Sequence, residues 1–181
     1  MFSLWLAKVV SFIDKLNETL GKLIAWLTLL IVVLTFFVVV LRYGFNIGSI
    51  ALQESVLYAH ATIFMLGAAY TLKHNGHVRV DVFYHRGSEK AQAWINLFGT
   101  VFLLFPVMIF MAWISSDFIA ASWSILEKSR EPGGLPLVYL NKTLIYALAF
   151  TLGLQGISEV GRNILILQGK LKIKNESMEQ V

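Results

Sequence analysis

A long run without any charged residue is the feature that most limits how this chain can fold. Residues 23–41 read LIAWLTLLIVVLTFFVVVL and are bracketed by Lys22 and Arg42. A helix needs about 20 mostly apolar residues to cross a bilayer, because each residue advances about 1.5 Å through a hydrocarbon core about 30 Å thick. The run therefore predicts a transmembrane helix. The charged content of the whole chain, 14%, is also far below the roughly 25% that is usual for soluble domains.

Three further apolar stretches of similar length are predicted to span the membrane: residues 50–72, 95–115 and 137–157. Pro106 lies inside the third stretch, where its missing N–H predicts a kink. Lys142 lies near the start of the fourth, and its long side chain is expected to extend outward. The sequence therefore predicts an all-α integral membrane protein with four transmembrane helices, in a single membrane domain over 1–181.

The segment before the first span has a different pattern. Apolar residues recur at helical spacing on one side of residues 2–20, at Trp5, Val9, Phe12, Leu16 and Leu20. Charged and hydroxyl residues occupy the other side, at Lys8, Ser11, Asp14, Lys15 and Glu18. Amphipathic helices of this kind are typical of segments that lie in the membrane interface. We therefore predict an N-terminal interfacial helix over 2–20.

The distribution of lysine and arginine predicts the orientation of the spans. Cytoplasmic connections are enriched in these residues, and most of the 15 in this chain fall on one side of the predicted bilayer. The exceptions are Arg42, Lys128, Arg130 and Lys142. Both termini, the loop over 73–92 and the tail over 158–181 are therefore expected in the cytoplasm, where the basic loop can contact lipid headgroups. The loop over 117–136 is expected on the outer side.

Three histidines lie close together in the cytoplasmic loop. The segment HNGHVRVDVFYHRG contains His74, His77, Asp81 and His85. These residue types can ligate zinc, but the Asn-Gly pair between the first two histidines marks a turn, and no further ligand cluster accompanies them. We favour headgroup contact over metal binding. No metal, cofactor or nucleic acid is expected to bind this chain.

The second span carries polar residues at membrane depth. Gln53, His60 and Gly67 share one helix face at heptad spacing, and Glu54, Ala61 and Ala68 occupy the adjacent face. Ionisable groups in the hydrocarbon core are costly and need partners. We therefore predict that this side of the span packs against other helices. We also predict that Glu54 forms an ion pair with Arg42, at the end of the first span.

Composition and motifs do not favour an enzyme. The chain has no cysteine, which excludes disulfides, thiolate metal ligands and cysteine nucleophiles. Its sequence contains no phosphate loop, no nucleophile elbow and no HExxH metal motif. Three functions stay open from the residues alone. One is a non-catalytic membrane subunit whose polar faces bind partners, and the second is a self-sufficient small multidrug or ion exchanger with Glu54 as its coupling carboxylate. The third is a membrane metalloenzyme or metal sensor built on His74, His77, Asp81 and His85.

Four short motifs occur in a particular order along the chain. Arg42 ends the first span and Glu54 enters the second; Gly67, Ala68 and Ala69 lie near its end; and Gly76, His77, Val78, Val80 and Asp81 follow. This order resembles the small membrane subunit, or Q-type permease, of tripartite ATP-independent periplasmic (TRAP) transporters. The resemblance extends over nearly the whole chain. One departure is the entry to the second span, where many members carry a Trp and two acidic residues and this chain reads SIALQES.

The resemblance implies a non-catalytic subunit of a sodium-driven, binding-protein-dependent secondary transporter in the bacterial inner membrane. In such systems a large multi-span subunit carries the substrate and sodium sites and moves as an elevator, while the small subunit enlarges its static scaffold. A periplasmic binding protein delivers the substrate, typically an organic acid. The resemblance also implies that His77 and Asp81 fix the loop after the second span, and that Arg42 and Glu54 brace the outer ends of the first two spans.

Overall fold

The computed structural model describes residues 2–78, 84 and 87–171. Its helices are α1 (Phe2–Gly44), α2 (Ile50–Lys73), α3 (Glu89–Gly99), a π-helical turn (Thr100–Leu104), α4 (Phe105–Ile114), α5 (Ser116–Ser124) and α6 (Val138–Leu167). Within this part of the chain, four helical stretches are long and apolar enough to cross a membrane: Ser3–Gly44, Ile50–Lys73, Glu89–Ser124 and Val138–Leu167. The predicted all-α membrane fold with four spans is therefore confirmed.

The first helix departs most from the sequence-based prediction. Instead of an interfacial helix over 2–20 followed by a separate span over 23–41, α1 is one continuous helix. Gly21 lies at the expected junction, but it is a contact point and not a break, because a Cβ added there would lie only 2.3 Å from Tyr70 Cδ2 on α2. The outward side chains of Trp5 and Phe12 are exposed. Their location in the membrane interface stays a prediction.

The third span is interrupted next to its proline. Pro106 has no N–H, so the helix cannot form the usual bond to the carbonyl four residues earlier. The chain winds as a π-helix over Thr100–Leu104 just before it, and the Phe105 N–H donates to the Thr100 carbonyl. The disturbance predicted at Pro106 therefore takes the form of a π-helical turn. Beyond it, α5 occupies the beginning of the segment that was predicted as the loop over 117–136.

The last helix lies at the centre of the bundle and is longer than predicted. α6 contacts each of the other α-helices, α1 to α5. It continues to Leu167, past the predicted end of the fourth span at residue 157. This extension packs against the N-terminal half of α1, since a Cβ added at Gly161 would lie 2.7 Å from Val10 Cγ2. The predicted cytoplasmic tail over 158–181 therefore begins as part of the helical bundle.

Candidate functional site: ion-paired helix ends and an open helix face

Polar residues link the N-terminal half of α1 to the C-terminal half of α6. Arg162 Nη2 donates to Asp14 Oδ2 at 2.6 Å, and Ser158 Oγ donates to Asp14 Oδ1 at 2.6 Å. Gln155 Nε2 donates to Asp14 Oδ1 at 3.1 Å, and Gln155 Oε1 accepts from Asn17 Nδ2 at 2.8 Å. Asn17, Gln155 and Ser158 are buried, where polar groups need such partners. These five residues are called the α1–α6 network below.

The next turn of α1 is joined to α2. Glu18 Oε2 accepts from Lys73 Nζ at 2.7 Å and lies 2.8 Å from His74 Nε2. Glu18 Oε1 lies 3.0 Å from Lys22 Nζ. The sequence placed His74 in a candidate zinc group, whereas the structure places it beside a carboxylate of another helix. Glu18 thus fixes the C-terminal end of α2 against α1.

The loop after α2 starts with the turn that the sequence predicts. Asn75 has a positive φ of 53°, and the Gly76 N–H donates to the Thr71 carbonyl at 2.9 Å. This six-residue closure with a left-handed residue is the pattern of a Schellman cap. His77 follows and is exposed. The remaining residues assigned to this loop, Val80, Asp81 and His85, lie outside the described residues.

At the other end of α2, Glu54 holds the connection between α5 and α6. Ser129 Oγ donates to Glu54 Oε1, and the Leu135 N–H donates to Glu54 Oε2 at 2.6 Å. The predicted ion pair with Arg42 is therefore wrong: Arg42 is exposed and lines a cavity of about 560 Å³ together with Gln53. The reason is that the start of α2 lies beside this connection, whose backbone N–H needs an acceptor.

A further carboxylate, Glu127 in the connection itself, was not identified from the sequence. Lys142 Nζ and Ser122 Oγ both donate to Glu127 Oε2, the latter at 2.7 Å. The Lys142 ammonium and the Ser122 hydroxyl lower the pKa of Glu127. Lys142 Nζ also lies 3.9 Å from the centre of the Phe118 ring. Lys142 therefore forms an ion pair within the protein, with Glu127. The sequence feature that could have suggested this pair is an acidic residue in the connection that precedes the helix carrying Lys142.

One face of α2 points away from the rest of the chain. Leu57 and Phe64 are 63% and 70% exposed, and His60, on the same side, is exposed as well. A Cβ added at Gly67 would meet no atom within 4 Å. Ala69, on the opposite side of the helix, is only 1% exposed. The polar side of α2 therefore faces outward, and the buried side is the one that carries Ala69.

The predicted helix-packing face is not filled by helices of this chain, and its packing against a helix of another subunit stays a prediction. Of the residues assigned to it, His60 is exposed, and a Cβ added at Gly67 would meet no atom within 4 Å. Gln53, Ala61 and Ala68 are half-buried. Heptad spacing identified a coherent face, but the helices α1 and α6 pack against the other side of α2. The face is available to a partner.

One comparison with known proteins bears on this arrangement. The family model for the DctQ component of tripartite ATP-independent periplasmic transporters matches residues 31–165. The match covers more than half of the chain and includes Glu54, His60 and Glu127, while Asp14 and Glu18 precede it. No curated protein and no solved structure matches the chain.

Proposed function

This chain belongs to the family of DctQ components of tripartite ATP-independent periplasmic transporters, and we propose that it is the small scaffold subunit of a sodium-driven importer. It is a multi-pass protein of the bacterial inner membrane. In the proposed assembly, a large multi-span subunit transports a small organic acid, and a periplasmic binding protein delivers that substrate. The chain itself catalyses no reaction and supports the moving subunit.

The proposal is supported by the way in which four carboxylates link the helices of this chain to one another and to the connection over 125–137. Asp14 joins α1 to α6, and Glu18 joins α1 to α2. Glu54 joins α2 to the connection over 125–137, and Glu127 joins that connection to α6. Ion pairs and hydrogen bonds placed in this way hold the ends of the helices in one arrangement. A rigid bundle is what a static support requires.

The exchanger alternative requires a carboxylate that binds and releases ions in each cycle. Both oxygens of Glu54 instead accept hydrogen bonds, from Ser129 Oγ and from the Leu135 N–H. Releasing Glu54 would leave that backbone donor without its acceptor, at a cost of about 1–3 kcal/mol. The geometry therefore favours a structural role for Glu54 over a coupling role.

Uptake by reconstituted vesicles tests the proposal. Vesicles that contain the large subunit together with this chain should accumulate an organic acid when the purified binding protein and an inward sodium gradient are supplied. Vesicles that lack this chain, or that contain it alone, should not. An equal potassium gradient is the control for the coupling ion. Uptake by the chain alone that Glu54→Gln abolishes would contradict the scaffold proposal and support the exchanger.

A further inference from the structure

We propose that the large subunit docks against the surface formed by Arg42, Gln53, Leu57, His60, Phe64 and Gly67. One of its transmembrane helices provides a hydrogen-bonding group to His60 and an anionic group to Arg42. This surface is called the His60 face below. The inference rests on the proposed function, because it needs a second membrane subunit, and it specifies which surface of this chain that subunit contacts.

The position of His60 calls for a partner. His60 lies near the middle of the 24-residue α2, at the depth of the hydrocarbon core. Its ring is exposed and has no hydrogen-bond partner among the described residues. Lipid tails offer neither donors nor acceptors, so a polar side chain facing them is costly. A neutral imidazole carries one donor and one acceptor, and a neighbouring helix with a polar group at the same depth satisfies it.

The shape of the surface fits a helix. Leu57 and Phe64 stand out from α2 on the same side as His60, and their side chains are largely exposed. Gly67, one turn from Phe64, leaves open space where a side chain would otherwise lie. Transmembrane helices approach one another closely at small residues. A helix crossing near Gly67 can therefore reach His60 while it packs against the two apolar side chains.

The outer end of the surface adds a charge. Arg42 and Gln53 line one cavity of about 560 Å³ with Tyr43, Asn46 and Gly48. Arg42 is exposed, and the described residues offer it no ion pair, since Glu54 is bound elsewhere. A guanidinium group favours a carboxylate in a bidentate arrangement. The partner helix is therefore expected to end near an acidic side chain.

A second copy of this chain does not fit the surface as well as a different subunit does. Copies in one membrane share the same orientation, and a two-fold axis along the membrane normal places identical residues at identical depth. The two copies of Arg42 would then lie at the same depth in one interface and bring like charges to it, which is unfavourable. A different subunit can carry the complementary charge.

Photo-crosslinking in the assembled complex tests the surface directly. The photoreactive amino acid p-benzoylphenylalanine replaces Phe64 in one variant. In the matched controls it replaces Phe36 on α1 or Phe110 on α4, which are 62% and 54% exposed against 70% for Phe64. We expect a crosslink to the large subunit from position 64 and little or none from positions 36 and 110.

The outcomes separate this inference from the function on which it rests. If the large subunit co-purifies but crosslinks from position 36 or 110 and not from 64, the docking surface is wrong and the scaffold function stands. A crosslinked product with twice the mass of this chain assigns the face to a second copy and also overturns the inference. If no large subunit co-purifies, the proposed function itself fails.

Substitution of His60 tests the hydrogen bond. With His60→Leu, we expect the large subunit to dissociate about three- to tenfold more readily, which is the range for one interhelical hydrogen bond. His60→Gln keeps a donor and an acceptor and should restore most of the affinity. Unfolding of the isolated chain should be the same for the wild type and both variants, because His60 is exposed and has no hydrogen-bond partner among the described residues. If the wild-type chain and both variants bind the large subunit with equal affinity, the proposed hydrogen bond to His60 is wrong.

Discussion

The α1–α6 network and the His60 face are both polar surfaces of membrane helices, but one is buried and the other is exposed. In the network, Asp14 binds three side chains of α6, and Gln155 and Ser158 have no exposed surface. On the His60 face, an imidazole near the middle of α2 is exposed. These polar groups differ in role: the network holds the bundle together, and the His60 face is the surface that we propose for a partner.

The network should account for the largest loss of stability in the isolated chain. Arg162 pairs with Asp14 and with Glu159 at 2.6 and 2.7 Å. Arg162→Leu removes the cation that pairs with both Asp14 and Glu159, and it should lower the free energy of unfolding by about 3 kcal/mol. Thermal unfolding in detergent measures the loss. Lys15→Leu removes an exposed charge from α1, next to Asp14, and should change stability by less than about 0.5 kcal/mol. Equal losses from both variants would show that the network does not hold the bundle together.

The two predicted members of the outer ion pair should behave differently from each other. Glu54→Ala removes the acceptor for Ser129 Oγ and the Leu135 N–H, and it should cost about 1.5–3 kcal/mol. Arg42→Ala should leave the isolated chain unchanged. A double-mutant cycle in the same unfolding assay should give coupling between Glu54 and Ser129 and none between Glu54 and Arg42. Coupling between Glu54 and Arg42 without coupling between Glu54 and Ser129 would support the ion pair that the sequence predicted.

The connection over 125–137 should respond to pH through Glu127. Lys142 and Ser122 hold the pKa of Glu127 below its ordinary value of 4.5. The unfolded chain therefore takes up the proton first, so the contribution of Glu127 is complete above pH 4.5 and is lost as the pH falls below it. Hydrogen exchange of the 125–137 amides, corrected for intrinsic rates, should accelerate in that acidic range. Glu127→Gln should remove this response. The same acceleration in the variant would assign the response to another group.

The smallest effect on stability is expected on the His60 face. Phe64→Ala removes a side chain that is 70% exposed, so the unfolding of the isolated chain should change by less than about 0.5 kcal/mol. The same variant should release the large subunit more readily, because the proposed contact is lost. Unfolding in detergent and retention of the large subunit on a tagged chain measure the two effects. A large loss of stability in the isolated chain would mean that this face packs within it.

The sequence predicted the number of spans because span formation depends on local properties. Residues 23–41 carry no charge over a length that crosses a bilayer, and no distant contact is needed to recognise that. The partner of Glu54 is different, since Arg42 and Ser129 were both chemically suitable. The choice between them depends on where the connection before α6 lies against α2, which is a tertiary property.

Tertiary contacts also explain the two other departures from the sequence-based predictions, namely the continuity of α1 and the outward orientation of the Gln53, His60 and Gly67 face of α2. Gly21 followed by Lys22 resembled the end of one helix, yet the ring of Tyr70 occupies the space at that glycine and α1 continues through it. The spacing of Gln53, His60 and Gly67 correctly grouped them on one face of α2. Whether that face points inward or outward depends on the side from which α1 and α6 approach, and periodicity alone does not contain that information.

The central claim is that this chain works as a scaffold beside a larger membrane subunit. The most direct measurement is to isolate the tagged chain from native membranes in mild detergent and to identify the co-purifying proteins by mass spectrometry. The scaffold account predicts a large multi-span membrane protein in roughly stoichiometric amount. Recovery of the chain alone, or only with further copies of itself, would contradict the account.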